Sequence, residues 1–207
     1  MKSLALKISM AVLSMIPLVA KAELIVLASP QSNDAYYAKM IDDIFDFHVD
    51  YAKKIIKNGD NVVVLTDKGL YPDYVKALGK KHVAIAPMHD IWMRDFTSAN
   101  PAQPVMFRYT AAGQGGAKKG QAISDEVQDE FKYYSQKAGL QFTQSKLLND
   151  GGNWVENGYG NLVLSTKFLA DNKLTESEAR KKLMALTGAK QIAFIEADEQ
   201  GGLEHAD

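Results

Sequence analysis

Three short stretches of this sequence hold the residue types that proton transfer or cation binding requires. The first is Asp90-Ile91-Trp92-Met93-Arg94-Asp95, in which two carboxylates bracket a Trp and an Arg. In extended chain alternate side chains share a side, so this spacing groups Asp90, Trp92 and Arg94 and turns Asp95 the other way. The second is Asn149-Asp150-Gly151-Gly152-Asn153-Trp154, an Asp followed by paired glycines. Glycines permit positive φ and close backbone approach, which suits a carboxylate presented into a pocket. The third is Gly201-Gly202-Leu203-Glu204-His205-Ala206-Asp207, where a His and an Asp two apart share a side and the carboxylate can orient the imidazole for proton transfer. Taken singly, the first stretch also reads as a salt-bridge cluster around a half-buried Trp, and the second as a plain turn. His205 and Asp207 with His89 and Asp90 would also suit a metal, although no zinc-ligand spacing is present. His48 falls on an apolar helical stripe and His82 opens a strand, so both read as packing or surface residues.

Taken in order, D-x-W-x-R-D, an acidic residue before Gly-Gly-Asn, the run G-G-N-W-V-E-N-G-Y-G-N-L-V-L-S-T and G-G-L-E-H-A-D resemble the agmatine deiminase and bacterial (Porphyromonas-type) peptidylarginine deiminase family. The resemblance spans about Met88 to Asp207. It implies a pentein-type α/β-propeller of ββαβ units, here incomplete, and a guanidino-group hydrolase that needs no cofactor. It also implies roles: Asp95 and Asp207 as carboxylates for the substrate guanidinium, Asp150 as the acidic position before Gly-Gly, and His205 as general acid/base. Asp90, Trp92 and Arg94 join the substrate-binding set as the rest of their motif. A guanidinium is planar with forked donors, so carboxylates can hold it bidentately and aim its carbon at a nucleophile. In the family that nucleophile is a Cys thiolate, which gives a covalent amidino intermediate and ammonia before water releases the ureido product.

This sequence departs from the pattern twice. Asp150 stands where the family commonly has Glu, which withdraws the carboxylate by roughly 1.5 Å, one carbon–carbon bond. More importantly, the chain has no cysteine. In the family the nucleophile lies downstream of His-x-Asp, so the expectation is a member truncated before its C-terminal segment. No Ser or Thr has a convincing base partner; Ser165 and Thr166 end a strand, where packing or edge hydrogen bonding is the simpler reading.

Composition narrows the alternatives. With 207 residues, 46% apolar and 24% charged, the chain is an ordinary globular one. Its net charge of −1 and the absence of Lys/Arg clusters beyond Lys80-Lys81 and Arg180-Lys181-Lys182 exclude a nucleic-acid footprint. Zero cysteines exclude disulfides and thiol chemistry within these residues. Residues 1–22 read as a signal peptide: Lys2 and Lys7, an apolar stretch Ile8 to Ala20, and an A-x-A-like Ala20-Lys21-Ala22. That predicts export to the periplasm or exterior, a domain over 23–207, and no stable membrane span after cleavage.

The elements that must position these stretches alternate. Strands are expected over 23–28, 61–66, 82–86, 105–110, 140–148 and 190–196, with helices from about Asn33 to Asn58, over 70–78, from a Ser124 cap to Gly139, and after a Thr175/Glu178 capping box. Asp90 to Ala99 reads as a loop running into extended chain, and Ala111 to Gly120 as a mobile loop. Trp154 to Thr166 reads as a hairpin with a tight Asn157-Gly158 turn and a bulge at Gly160. The class is α/β or mixed α+β.

The expected partner is a small-molecule or peptidyl guanidino substrate, with Arg94, Arg108 and Glu156 as candidates to distinguish agmatine from arginine. A non-catalytic guanidino- or amine-binding fragment is the alternative, and a metal-dependent hydrolase using His205, Asp207 and His89 the third. Nothing in the sequence bears on oligomeric state.

Overall fold

The computed structural model describes residues 23–97, 103–110, 112, 115–197 and 204–207. The signal peptide expected at 1–22 and the Gly201-Gly202-Leu203 part of the third motif lie outside these residues. Three small sheets carry the architecture. In the first, β1 (Leu24–Ala28), β2 (Asn61–Thr66) and β3 (Val83–Ile85) run parallel, joined by α1 (Ile41–Asn58) and α2 (Tyr71–Leu78). The second pairs β4 (Val105–Arg108) in parallel with β5 (Thr143–Leu148), after a one-turn α3 (Met93–Phe96) and across α4 (Ala117–Lys137). In the third, β6 (Val155–Glu156) pairs antiparallel with β7 (Asn161–Ser165), and β7 pairs in parallel with β8 (Gln191–Ile195) across α5 (Lys167–Asn172) and α6 (Glu176–Thr187). This is a mixed α/β fold, as the alternation of periods predicts.

Strand alternation distributes the core. Val105 and Phe107 of β4 pack with Trp154, Leu164 and Phe168, whereas Met106 between them packs with Phe96, Val127 and Phe131. One four-residue strand therefore joins two apolar clusters, because its successive side chains leave opposite faces. Across the first sheet, α1 buries His48, Val49, Ala52 and Ile55, while Tyr51 stays exposed.

Two local expectations are met, the end of α1 at Asn58 and the capping box of α6. Gly59 ends α1 in the left-handed conformation, with its N–H on the Ile55 and Ile56 carbonyls. Thr175 and Glu178 form the reciprocal capping box of α6.

Others are corrected. Helix α1 begins at Ile41, and the residues from Asn33 form turns, with Asp34 accepting the Tyr36 and Tyr37 N–H groups. Helix α4 begins at Ala117, inside the expected loop and two turns before Ser124. Ser124 does not cap it: its hydroxyl donates to the Thr110 carbonyl at 2.6 Å, so a tertiary partner replaces the local one. The link between β6 and β7 is longer than a two-residue turn, since Glu156 pairs Leu162 and Asn157 Oδ1 accepts from the N–H groups of Tyr159 and Asn161. Helix α5 carries no expectation from sequence and follows directly on β7.

Candidate functional site

The site forms where the ends of β4 and β5 meet α3 and the segment 204–207. The chain leaves β5 through Asn149 and Asp150 into a 3₁₀ turn, Gly151–Asn153. Asp150 is 2% exposed, and a carboxylate at that depth must be fully hydrogen-bonded. Thr110, just past β4, donates its backbone N–H to Oδ1 and its hydroxyl to Oδ2, each at 2.9 Å. His205 Nε2 lies 3.3 Å from Oδ2. Asp95, on α3, accepts the Gly152 N–H at 2.9 Å. On the other side of the imidazole, Nδ1 is 3.9 Å from Asp207 Oδ1.

These surroundings set the charges. The hydrogen bond to Asp150 is the largest cause of a raised His205 pKa; burial opposes it, while Asp95, Asp150 and Asp207 add to it. Burial also raises the Asp95 pKa; nearby His205 and the Gly152 N–H lower it, and Asp150 and Asp207 raise it further. Three carboxylates against one imidazole and the Arg94 guanidinium on Asp207 still leave negative potential, which favours a further cation.

The two glycines have one cause, not two. Neither Gly151 nor Gly152 has positive φ, which corrects half of the sequence expectation. A Cβ on Gly151 would collide with the Arg94 carbonyl, and one on Gly152 with the His205 ring. Close approach alone demands glycine here. Gly152 is also gripped from both sides, since its carbonyl accepts the Asp207 N–H at 3.2 Å.

The first motif does not keep its predicted sidedness. The Met93 N–H reaches Ile91 O and the Asp95 N–H reaches Trp92 O, so the chain turns where extended backbone was expected. Period-2 alternation fails in such a turn. Asp90 is buried and accepts the Trp92 N–H at 3.2 Å and the Tyr109 hydroxyl at 3.4 Å. Trp92 is 61% exposed. Arg94 does reach the site: its Nε donates to Asp207 Oδ2 at 2.9 Å and its Nη2 to the Trp154 carbonyl at 3.1 Å. Asp95, Asp150, His205, Asp207 and Arg94 are thus brought together, while Asp90 and Trp92 go separate ways.

Of the three candidates for substrate discrimination, Arg94 and Glu156 line one cleft of about 1120 Å³, together with Met93, Gly151 and Trp154. Arg108 is elsewhere engaged, bidentate to Asp125 at 2.9 and 2.7 Å. His89 Nδ1 lies 2.9 Å from Glu130 Oε2, and among the described residues no group of three or more His, Asp or Glu is arranged to hold a metal. The ligand set His205, Asp207 and His89 is therefore not assembled.

Sequence reasoning overlooked Thr110, Asn149 and Asn153. Asn153 Nδ2 donates to Asn149 Oδ1 at 3.1 Å, and Asn153 Oδ1 accepts the Ser165 N–H at 2.6 Å. The only signal for Asn153 was its place after Gly-Gly; for Thr110 there was none.

This mixed α/β fold has solved neighbours among the agmatine deiminases. The sequence matches the Porphyromonas-type peptidyl-arginine deiminase family over residues 14–207, and the chain belongs to that family. The fold is similar to that of a C. jejuni agmatine deiminase (TM-score 0.66, 19% identity, 86% of this chain and 54% of the other). A cysteine-to-serine variant of the C. jejuni enzyme with substrate bound is also similar (TM-score 0.63, 18% identity, 86% and 54%). So is an Enterococcus faecalis agmatine deiminase (TM-score 0.65, 13% identity, 89% and 53%). The chain spans about half the length of these structures. No curated protein matches it in sequence.

Proposed function

We propose that this chain carries the guanidinium-holding and acid–base part of a guanidino-group deiminase, on propeller-type ββαβ units over residues 23–207. One observation carries the reading: Asp95, Asp150 and Asp207, dispersed along the sequence, converge on His205. A planar cation between Asp95 and Asp207 would find carboxylate acceptors for its forked donors and offset the surplus negative charge. His205, held toward its protonated form, would donate a proton to the departing ammonia and then, as the neutral base, deprotonate the attacking water. The first covalent step needs a thiolate, and this sequence has no cysteine, so the chain by itself binds without turnover.

Export through residues 1–22 belongs to the same proposal and suits extracellular or periplasmic guanidino compounds, peptidylarginine included. A second reading, a non-catalytic guanidino-binding protein, is favoured by the same missing cysteine and shares the binding step. Calorimetry of the 207-residue chain with agmatine and with an arginyl peptide tests both. Saturable heat that falls at least about tenfold in affinity in Asp95→Asn is expected; no heat with either ligand overturns both readings. Ammonia release above background would overturn the non-catalytic part alone.

A further inference from the structure

We propose that Ser165 is a positioning residue for His205, acting through the carbonyl of Glu204. The proposal rests on the reading of His205 as the site's proton-transfer group. Ser165 closes β7 and is 1% exposed. Its hydroxyl donates to the Glu204 carbonyl at 2.6 Å, across 39 positions of sequence, at the residue immediately before His205. Glu204 has φ +48°, a left-handed conformation that a side chain other than glycine adopts at a cost, so surrounding contacts must hold it. The Ser165 hydroxyl is the contact on one side of His205, and the Asp207 N–H on Gly152 O is the contact on the other. The imidazole is suspended between these two anchors.

Ser165 is itself tied back to the histidine's partner. Its N–H donates to Asn153 Oδ1, Asn153 Nδ2 donates to Asn149 Oδ1, and Asn149 Nδ2 donates to the Asp150 carbonyl at 2.9 Å. A run of hydrogen bonds therefore leads from the backbone of Asp150 to the backbone beside His205, through three buried side chains. Because these three side chains are buried, each member depends on the next, so the run sets the distance between the carboxylate and the ring. The strand-end serine, which sequence assigns to packing or edge hydrogen bonding, does hydrogen-bond, and its acceptor is the segment that presents the histidine.

The test is an NMR titration of His205 in the ligand-free 207-residue chain, its resonance assigned by its loss in His205→Gln. Ser165→Ala is expected to lower the pKa of His205 by half a unit or more, about threefold in proton affinity. Ser165→Thr, which keeps the hydroxyl, is expected to restore it. Thr166→Ala removes the neighbouring hydroxyl, which accepts the Ala197 N–H, and is expected to leave the titration unchanged. An unaltered His205 in folded Ser165→Ala, or an equal shift in Thr166→Ala, overturns the proposal. If Ser165→Ala does not fold, Ser165→Cys, with a similar volume and a weak donor, decides by the same criterion. Calorimetry with agmatine and with an arginyl peptide on the unmutated chain is run alongside: a Ser165 effect without heat from either ligand supports the positioning and refutes the deiminase reading.

Discussion

Two regions of the molecule withdraw a histidine from solvent, His48 fully and His205 in part, with opposite electrostatic outcomes. In the first sheet, His48 of α1 is 7% exposed, and its Nδ1 lies 3.1 Å from the hydroxyl of Tyr74, which is itself buried among Val49, Val64 and Val83. Burial there pushes the imidazole from 6.5 down to about 4. In the candidate site, Asp150 outweighs burial and pushes His205 the other way. The difference is the partner: a phenol does not compensate for lost hydration of an imidazolium, and a carboxylate does. One histidine is kept neutral for packing, and the other is held ready to give up a proton.

The contrast can be broken from either side. The largest expected effect is at the site, where Asp150→Ala leaves the Thr110 donors and the His205 ring without their acceptor. Loss of one partner of a buried pair costs about 3–5 kcal/mol, read by urea unfolding at pH 7. Next comes His48. Its depressed pKa makes its contribution fully present above about pH 6.5 and lost as pH falls toward 4. That window is worth on the order of 3 kcal/mol, and His48→Leu should flatten it in urea unfolding at pH 7 against pH 4.5. His205 has the reverse sign: with its folded pKa raised, its contribution is present below about 6.5 and lost as pH rises through the raised value. A smaller effect is expected for Gly152→Ala, whose new methyl group meets the His205 ring. Displacement or overpacking there costs about 1–3 kcal/mol and should move the His205 titration and not that of His48. The smallest is Trp92→Ala, expected within about 0.5 kcal/mol in urea unfolding because the indole is largely solvated.

What could be read from sequence follows from the range of the interaction. The α6 capping box and the left-handed stop at Gly59 involve neighbours within four residues, so residue type and spacing specify them. The α3 turn at Met93–Phe96 was not legible, because extended and helical backbone suit the same short run of mixed residues. The early start of α4 was hidden by glycines that argue against helix, and the tertiary bonds of Ser124 and of Gln128, which donates to the Phe96 and Phe107 carbonyls, outweigh that local preference. Asp95, Asp150, His205 and Asp207 could be singled out by type and by family resemblance. Their relative placement, and the departure of Asp90 and Trp92 from it, could not.

By itself the sequence determined the alternation of strand and helix, the caps, the absence of a thiol, and which acidic and basic residues were available for chemistry. These depend on local periodicity or simple inventory. Only the tertiary structure decided that Thr110 holds Asp150, that Gly151 and Gly152 are glycines for want of space, and that Ser165 reaches Glu204. Each of those joins positions far apart in the chain, and buried polar groups find their partners only when packing has excluded water between them.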